Sequence, residues 1–230
     1  MRAIVAIGGG NLAAGETLAI DRTIVSLSEK LAPHVLFLPT ASRDSSAYVA
    51  EFTAAYTRLG CTVEALLLWD HAPDAQTLRE TILSSDIIYV GGGDTEDMLR
   101  IWHETGVDAL LKEAWERGIV LSGLSAGALC WFHRGLTDRM VDGESTLVWC
   151  DGLGLIPYNV GVHYDEAFWA AFDSFMPEAD RPGIALENNT AMMVLDDRFS
   201  ILHANETNHA WLLRPENGTV HKRAYEGGFI

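Results

Sequence analysis

Two hydrophobic periodicities alternate along the first two-thirds of the chain. Short runs of near-continuous apolar residues occupy 3–7, 35–38, 62–68, 87–90 and 119–122. Between them, apolar positions recur every three or four residues at about 17–31, 47–59, 75–83, in the stretch after Asp94, and around 108–117. Strands buried on both faces carry no polar alternation, and helices between such strands cover the two faces, so this rhythm predicts a mostly parallel sheet flanked by helices. Another helix is expected at the Ser125 turn, through Ala128 to Phe132, and another from Glu166. Past Pro157 the rhythm changes. Residues 183–225 contain shorter strands separated by turn signals at Asn188-Asn189, Asp196-Asp197 and Asn217-Gly218, which predicts antiparallel strands added along one edge of the sheet. No repeat, low-complexity tract or linker divides the chain, so residues 1–230 are expected to form one domain.

The 230 residues, 48% hydrophobic and 21% charged, suffice for one well-buried core. Thirty-two acidic against 16 basic residues give a formal charge of −16. A field of that sign repels phosphate backbones and anionic lipid, which argues against nucleic-acid or membrane partners, and an anionic substrate would need a local cationic cluster. The first apolar run breaks at Gly8-Gly9-Gly10, too short for a signal sequence, and no later stretch approaches the roughly 20 apolar residues of a membrane helix. A cytoplasmic location is therefore expected, and the sequons at Asn188, Asn205 and Asn217 have no role there. Cys61, Cys130 and Cys150 are odd in number and widely spaced among apolar neighbours, and read as reduced, buried thiols.

The segment Gly123-Leu124-Ser125-Ala126-Gly127 fits G-x-S-x-G between an apolar strand and a helical run, the setting of a nucleophile elbow. Small residues also gather where a helix packs closely on a sheet, so the strand-turn-helix context carries most of the weight. Gly91-Gly92-Gly93-Asp94-Thr95 follows the strand 87–90 at its carboxyl end, where open α/β sheets build their sites. Amides of Gly92 or Gly93, with that of Ala126, are the expected oxyanion donors, while Asp94 or Thr95 also suits a helix N-cap. A third cluster, Gly8-Gly9-Gly10-Asn11-Leu12-Ala13, matches a dinucleotide fingerprint, yet the second strand continues into Pro39-Thr40-Ala41-Ser42, where a ribose-binding acid would stand. A nucleotide cofactor is accordingly disfavoured and none is expected. Among eight histidines, His163 ends the apolar run from Asn159 and is the candidate base. Glu187, closing the run from Gly183, is the first choice for the triad acid, with Asp165, Asp142 and Asp138 as alternatives. No ligand spacing for a metal is present.

Taken in order over roughly residues 1–195, Gly8-Gly9-Gly10, Phe37-Leu38-Pro39-Thr40-Ala41-Ser42, Tyr89 through Thr95, Gly123 through Ala128, and His163-Tyr164-Asp165 resemble peptidase E and its bacterial relatives, a family that also contains the cyanophycinases. The resemblance implies a three-layer α/β/α sandwich of the class I glutamine-amidotransferase (flavodoxin-like) type. It implies a serine peptidase with Ser125 as nucleophile and His163 as base, and it supports Glu187 as the acid. It further implies a small peptide substrate, Asp-Xaa dipeptides in the family, with an arginine beyond the histidine holding the aspartate. Here residues 164–180 contain no Arg or Lys, which leaves Arg181 or Arg43 for that task. Arg43, Asp94, Thr95 and Arg181 are the candidate substrate-binding residues, and a homodimer is the assembly considered. A cyanophycinase-like enzyme, an esterase, or a catalytically silent binding protein on the same scaffold stays open at this stage.

Overall fold

The computed structural model describes residues 1–229. The chain begins with β1 (Ala3–Ile7), α1 (Leu18–Leu27), β2 (His34–Leu38), α2 (Ser46–Arg58), β3 (Thr62–Ala65), α3 (Ala75–Ser84), β4 (Ile87–Val90), α4 (Thr95–Thr105), α5 (Val107–Glu116), β5 (Val120–Leu124) and α6 (Ala126–Leu129). It continues with β6 (Phe132–Val141), β7 (Glu144–Asp151), β8 (Ile156–Gly161), α7 (Phe172–Phe175), β9 (Gly183–Leu186), β10 (Thr190–Leu195), β11 (Arg198–His203), β12 (Ala210–Glu216), β13 (Thr219–Ala224) and β14 (Gly227–Phe229).

An eight-stranded sheet has the order β14-β11-β10-β1-β5-β4-β2-β3. The five strands β1 to β5 run parallel, and β10, β11 and β14 extend the β1 edge antiparallel. Its helices divide between two faces because each strand residue points opposite to the next. Ala3, Val5 and Ile7 of β1 pack with Ile20 and Ile24 of α1 and Phe52 and Tyr56 of α2. Ile4 and Ala6 share the other cluster with Leu78 and Ile82 of α3, Met98 and Trp102 of α4, and Leu111 of α5. Each large side chain fully buried in this way contributes about 2–3 kcal/mol of transfer free energy. The expected α/β layering with a mostly parallel sheet and antiparallel strands toward the C-terminus is what the chain adopts.

A second sheet, six-stranded in the order β13-β12-β9-β8-β6-β7, departs from the expected single sheet. The helix expected through Phe132 stops at Leu129, and Phe132 opens a ten-residue strand paired with β7. Asp142 and Gly143, both at positive φ (53° and 85°), form the tight turn of that hairpin. The expected helix from Glu166 is reduced to α7 flanked by short 3₁₀ turns at Trp169–Ala171 and Met176–Glu178. Ile156, Val160, Ile184 and Leu212 of the second sheet enter the same core cluster as Ile4 and Leu121 of the first, so the two sheets share one apolar interior. Among the described residues no helix is long and apolar enough to cross a membrane.

Candidate active site

Ser125 sits between β5 and α6 at φ 59°, ψ −114°, a conformation that costs a non-glycine residue about 1–3 kcal/mol. The sequence tolerates it because of its neighbours. A Cβ on Gly123 or Gly127 would collide with backbone of the Gly127 or Val90 segments, so only glycine lets strand and helix close around the serine. The Ser125 amide donates to the Ile7 carbonyl at 3.0 Å, tying the turn to β1.

His163 follows β8 and is also left-handed, at φ 51°. Its backbone amide donates to the Gly8 carbonyl at 3.0 Å, which draws the end of the second sheet onto the first. The ring Nε2 lies 2.8 Å from Ser125 Oγ. The nucleophile thus stands at a carboxyl end in one sheet and its imidazole partner at a carboxyl end in the other.

On the far side of the ring, Nδ1 lies 2.8 Å from Asn188 Oδ1. Asn188 is held in turn by Asp165, which accepts its backbone amide at 2.7 Å and its side-chain Nδ2 at 3.3 Å, and by Glu166, which accepts the same Nδ2 at 3.0 Å. These two acceptors orient the carboxamide with its oxygen toward the imidazole. Glu166 Oε1 also comes within 3.4 Å of His163 Nδ1, and Trp169 packs beside the ring at 5.8 Å between centroids.

Glu187 is placed otherwise than the sequence suggests. Its two oxygens accept the His209 amide and the Trp211 indole N–H, each at 2.8 Å, and among the described residues it makes no hydrogen bond or ion pair with His163. Successive residues of an extended chain point to opposite sides, so with Asn188 facing the imidazole its neighbour faces β12. Asp165 reaches the site through Asn188. Asp138 accepts from Ser145 at 3.2 Å and Asp142 is the exposed hairpin tip, and neither bonds to His163.

The glycine clusters line the dyad. A Cβ on Gly9 would overlap both Asn188 Oδ1 and His163 Nδ1, so the Gly9 backbone is the floor beneath the imidazole. A Cβ on Gly92 would stand 3.3 Å from that of Ser125, which puts the Gly92 peptide against the nucleophile. Gly93, at φ 139°, leaves no room for a side chain against the Ala41 carbonyl. The Ala126 N–H opens α6 and has no acceptor within the helix. Gly92 and Ala126 amides therefore border Ser125, while the Gly92 N–H donates to the Tyr48 hydroxyl at 3.3 Å.

Of the substrate-binding candidates, Arg43 lies beside this glycine turn. It pairs with Asp97 at 3.6 Å, covers the Trp69 ring at 5.1 Å, and lines a cavity of about 550 Å³ with Gly93, Asp94, Glu96, Asp138, Arg139 and Met140. Asp94 caps α4 by accepting the Asp97 amide, and Thr95 is buried. Arg181 precedes β9, whose opposite end leads to Asn188, so a four-residue strand, about 13 Å of chain, separates it from the site. The residues missed in the sequence are Gly9, Tyr48, Glu166, Trp169 and Asn188. Asn188 had a local signal, since it sits in the same turn as Glu187 and a carboxamide can also orient a histidine.

Known proteins resemble this chain in sequence and in fold. Residues 4–202 match the model of peptidase family S51. The chain is 39% identical over 166 residues to the uncharacterized peptidase YgaJ of Bacillus subtilis, covering 72% of this chain and 70% of that protein. It is 27% identical over 202 residues to a probable alpha-aspartyl dipeptidase of Drosophila melanogaster, covering 80% and 78%. Among solved structures, a peptidase from an acI-B1 actinobacterium superposes with a TM-score of 0.73 at 18% identity, over 100% of this chain and 97% of that one. A putative peptidase E of Listeria monocytogenes EGD-e gives 0.68 at 20% identity, over 88% and 98%. With a matched segment that runs from β1 to β11 and contains the elbow, the imidazole and the turn behind it, the chain belongs to peptidase family S51 and is a serine-type peptidase.

Proposed function

We propose that the chain hydrolyses short peptides through an acyl-enzyme on Ser125, with His163 as general base and acid and Asn188 as the residue that orients the imidazole. The observation that carries this is the continuous line Ser125 Oγ, His163 Nε2, His163 Nδ1, Asn188 Oδ1, with 2.8 Å at both hydrogen-bonding steps. A carboxamide oxygen accepts only, so Nδ1 must carry the proton and Nε2 is free to receive one from the serine.

In the first step the Oγ–carbonyl carbon bond forms as the hydroxyl proton passes to Nε2. The carbonyl oxygen becomes an oxyanion facing the Gly92 and Ala126 amides, each such donor being worth about 3 kcal/mol at the transition state. Collapse breaks the C–N bond, and the leaving amine takes the proton from Nε2. Water then attacks the ester, gives its proton to Nε2, and the serine regains it as the carboxylate departs. Glu166 and Asp165 hold the Asn188 carboxamide with its oxygen toward the imidazole through both half-reactions.

The first residue of the peptide is a finer matter. The relatives include a probable alpha-aspartyl dipeptidase, which brings Asp-Xaa substrates into consideration. The arginines on the glycine-turn side are already paired, Arg43 with Asp97 and Arg139 with Glu96. An aspartate side chain would have to compete with those carboxylates, so we assign short peptides as the class without acidic preference. The test is a fluorophosphonate adduct mapped by mass spectrometry, with Ser125→Ala run beside wild type against Asp-Xaa and neutral dipeptides. Labelling of Ser125 and hydrolysis lost in the variant are expected. No adduct and no Ser125-dependent turnover would overturn the assignment.

A further inference from the structure

Resting on the acyl-enzyme reading above, we propose that the Tyr48 hydroxyl is a third donor of the oxyanion hole, a catalytic residue whose O–H meets the substrate oxygen held by the Gly92 amide. The Gly92 N–H, which borders the nucleophile, already points at Tyr48 Oη, 3.3 Å away. An oxygen that takes that N–H from the line of the present bond enters on the side where the hydroxyl stands, within its reach. At 3.3 Å the present bond is longer than the usual 2.7–3.2 Å, so the amide yields it readily to a charged acceptor.

The hydroxyl has a proton to offer. It accepts from Gly92, and among the described residues it donates to nothing. Burial is the chief influence on its pKa, which is raised from the ordinary tyrosine value, with Asp21 and Glu51 adding to the effect. The group therefore stays protonated throughout the range in which an imidazole base works.

The ring is wedged and cannot swing aside as a simple plug would. Tyr48 lies in the first turn of α2, its amide capped by Ser45. Its ring stands edge-on to Phe37 at 5.2 Å, and Phe37 stacks on Phe52 at 4.0 Å. On the other side, a Cβ on Gly91 would come 2.8 Å from Tyr48 Cε1, so the ring fills the space a side chain at 91 would take. A donor fixed by packing before substrate arrives is the preorganisation that lowers a barrier.

Tyr48→Phe keeps the ring and removes only the donor. Expected are a kcat on Asp-Ala and Ala-Ala lowered by about 10- to 100-fold, KM within about threefold, and phosphonylation of Ser125 by a fluorophosphonate slowed by a similar factor to kcat. A structural role would leave kcat alone, and a plug would raise it when removed; either result overturns the proposal. Should the Phe variant not fold, 3-fluorotyrosine at position 48 keeps the ring and acidifies the hydroxyl, and a fall in activity at lower alkaline pH than in wild type is expected, its absence being the contrary result. Wild-type protein that neither labels nor hydrolyses defeats the serine-hydrolase reading, and this inference with it; an active wild type matched by its Phe variant defeats Tyr48 alone.

Discussion

Asn188 presents its carboxamide oxygen to Nδ1 of His163 at 2.8 Å, at the position where an acid was expected, while two carboxylates grip the amide nitrogen from behind. The hydrogen bond to Nδ1 thus comes from a carboxamide, and the nearest negative charge, Glu166 Oε1, stands slightly farther off at 3.4 Å. Replacing Asn188 by Ala removes the acceptor that fixes the tautomer, and kcat should fall by about 100- to 1000-fold with KM little changed. Steady-state kinetics on the best dipeptide of the panel, with the melting temperature as a control, check it.

Glu187→Gln makes the opposite kind of change. The amide nitrogen of Gln cannot accept, so one hydrogen bond, from the His209 amide or the Trp211 indole, is lost and the other loses its charge assistance, a cost of about 1–3 kcal/mol. Stability to urea should drop by that amount while kcat stays within about threefold of wild type. A collapse of kcat would return Glu187 to the catalytic machinery.

Gly9→Ala places a methyl group where His163 Nδ1 and Asn188 Oδ1 now lie. The imidazole must lift away from the floor, and a displacement of about 1 Å is worth roughly 100-fold in rate. Circular dichroism should remain near native while turnover and fluorophosphonate labelling are both lost.

Asp21 carries a pH signature. It is 4% exposed and accepts from Thr17 at 2.8 Å and Tyr56 at 3.0 Å, yet burial pushes its pKa from 3.8 up to about 6. Its folded value lies above the unfolded one, so the stabilisation it lends is complete below about pH 4 and is lost as pH rises through 6, a difference of about 3 kcal/mol. Urea unfolding should show wild type losing stability between pH 4 and 7, with that component absent from Asp21→Asn.

All three cysteines are free and buried. Burial, and then the carboxylates Glu96 and Asp151, push the Cys150 thiol up to about 12, and burial raises the Cys130 thiol well above its ordinary value. Native protein should keep full activity through an hour in a thiol reagent such as dithionitrobenzoate, and release three equivalents of chromophore once unfolded in urea.

The parallel half of the fold is legible in the chain because β1, β2, β4 and β5 are buried on both faces and therefore almost wholly apolar, with Ser122 of β5 donating to the Ile88 carbonyl. The second sheet is not, because β6 passes from buried Phe132 to an exposed tip at Met140 and Val141 and mimics the continuation of a helix. Ser125 and His163 stand out since each closes an apolar run. The partner of His163 does not, because which of two adjacent residues in the turn after β9 faces inward depends on the register of that strand with β8 and β12. Tyr48 is hidden for a different reason. It lies on a helix 44 residues from the amide it meets, and no local pattern records a contact made only by folding.

The division of labour between the sheets has a mechanical consequence. Ser125 is carried by one sheet and His163 by the other, and the backbone stitches between them run through Gly8, Gly9 and the turn 187–190. Turnover therefore reads the alignment of two bodies, much as a vernier reads the offset of two scales. A slip too small to expose the shared core would already part the hydroxyl from its base, so on gentle heating or at low denaturant the enzyme should fall silent before it begins to unfold.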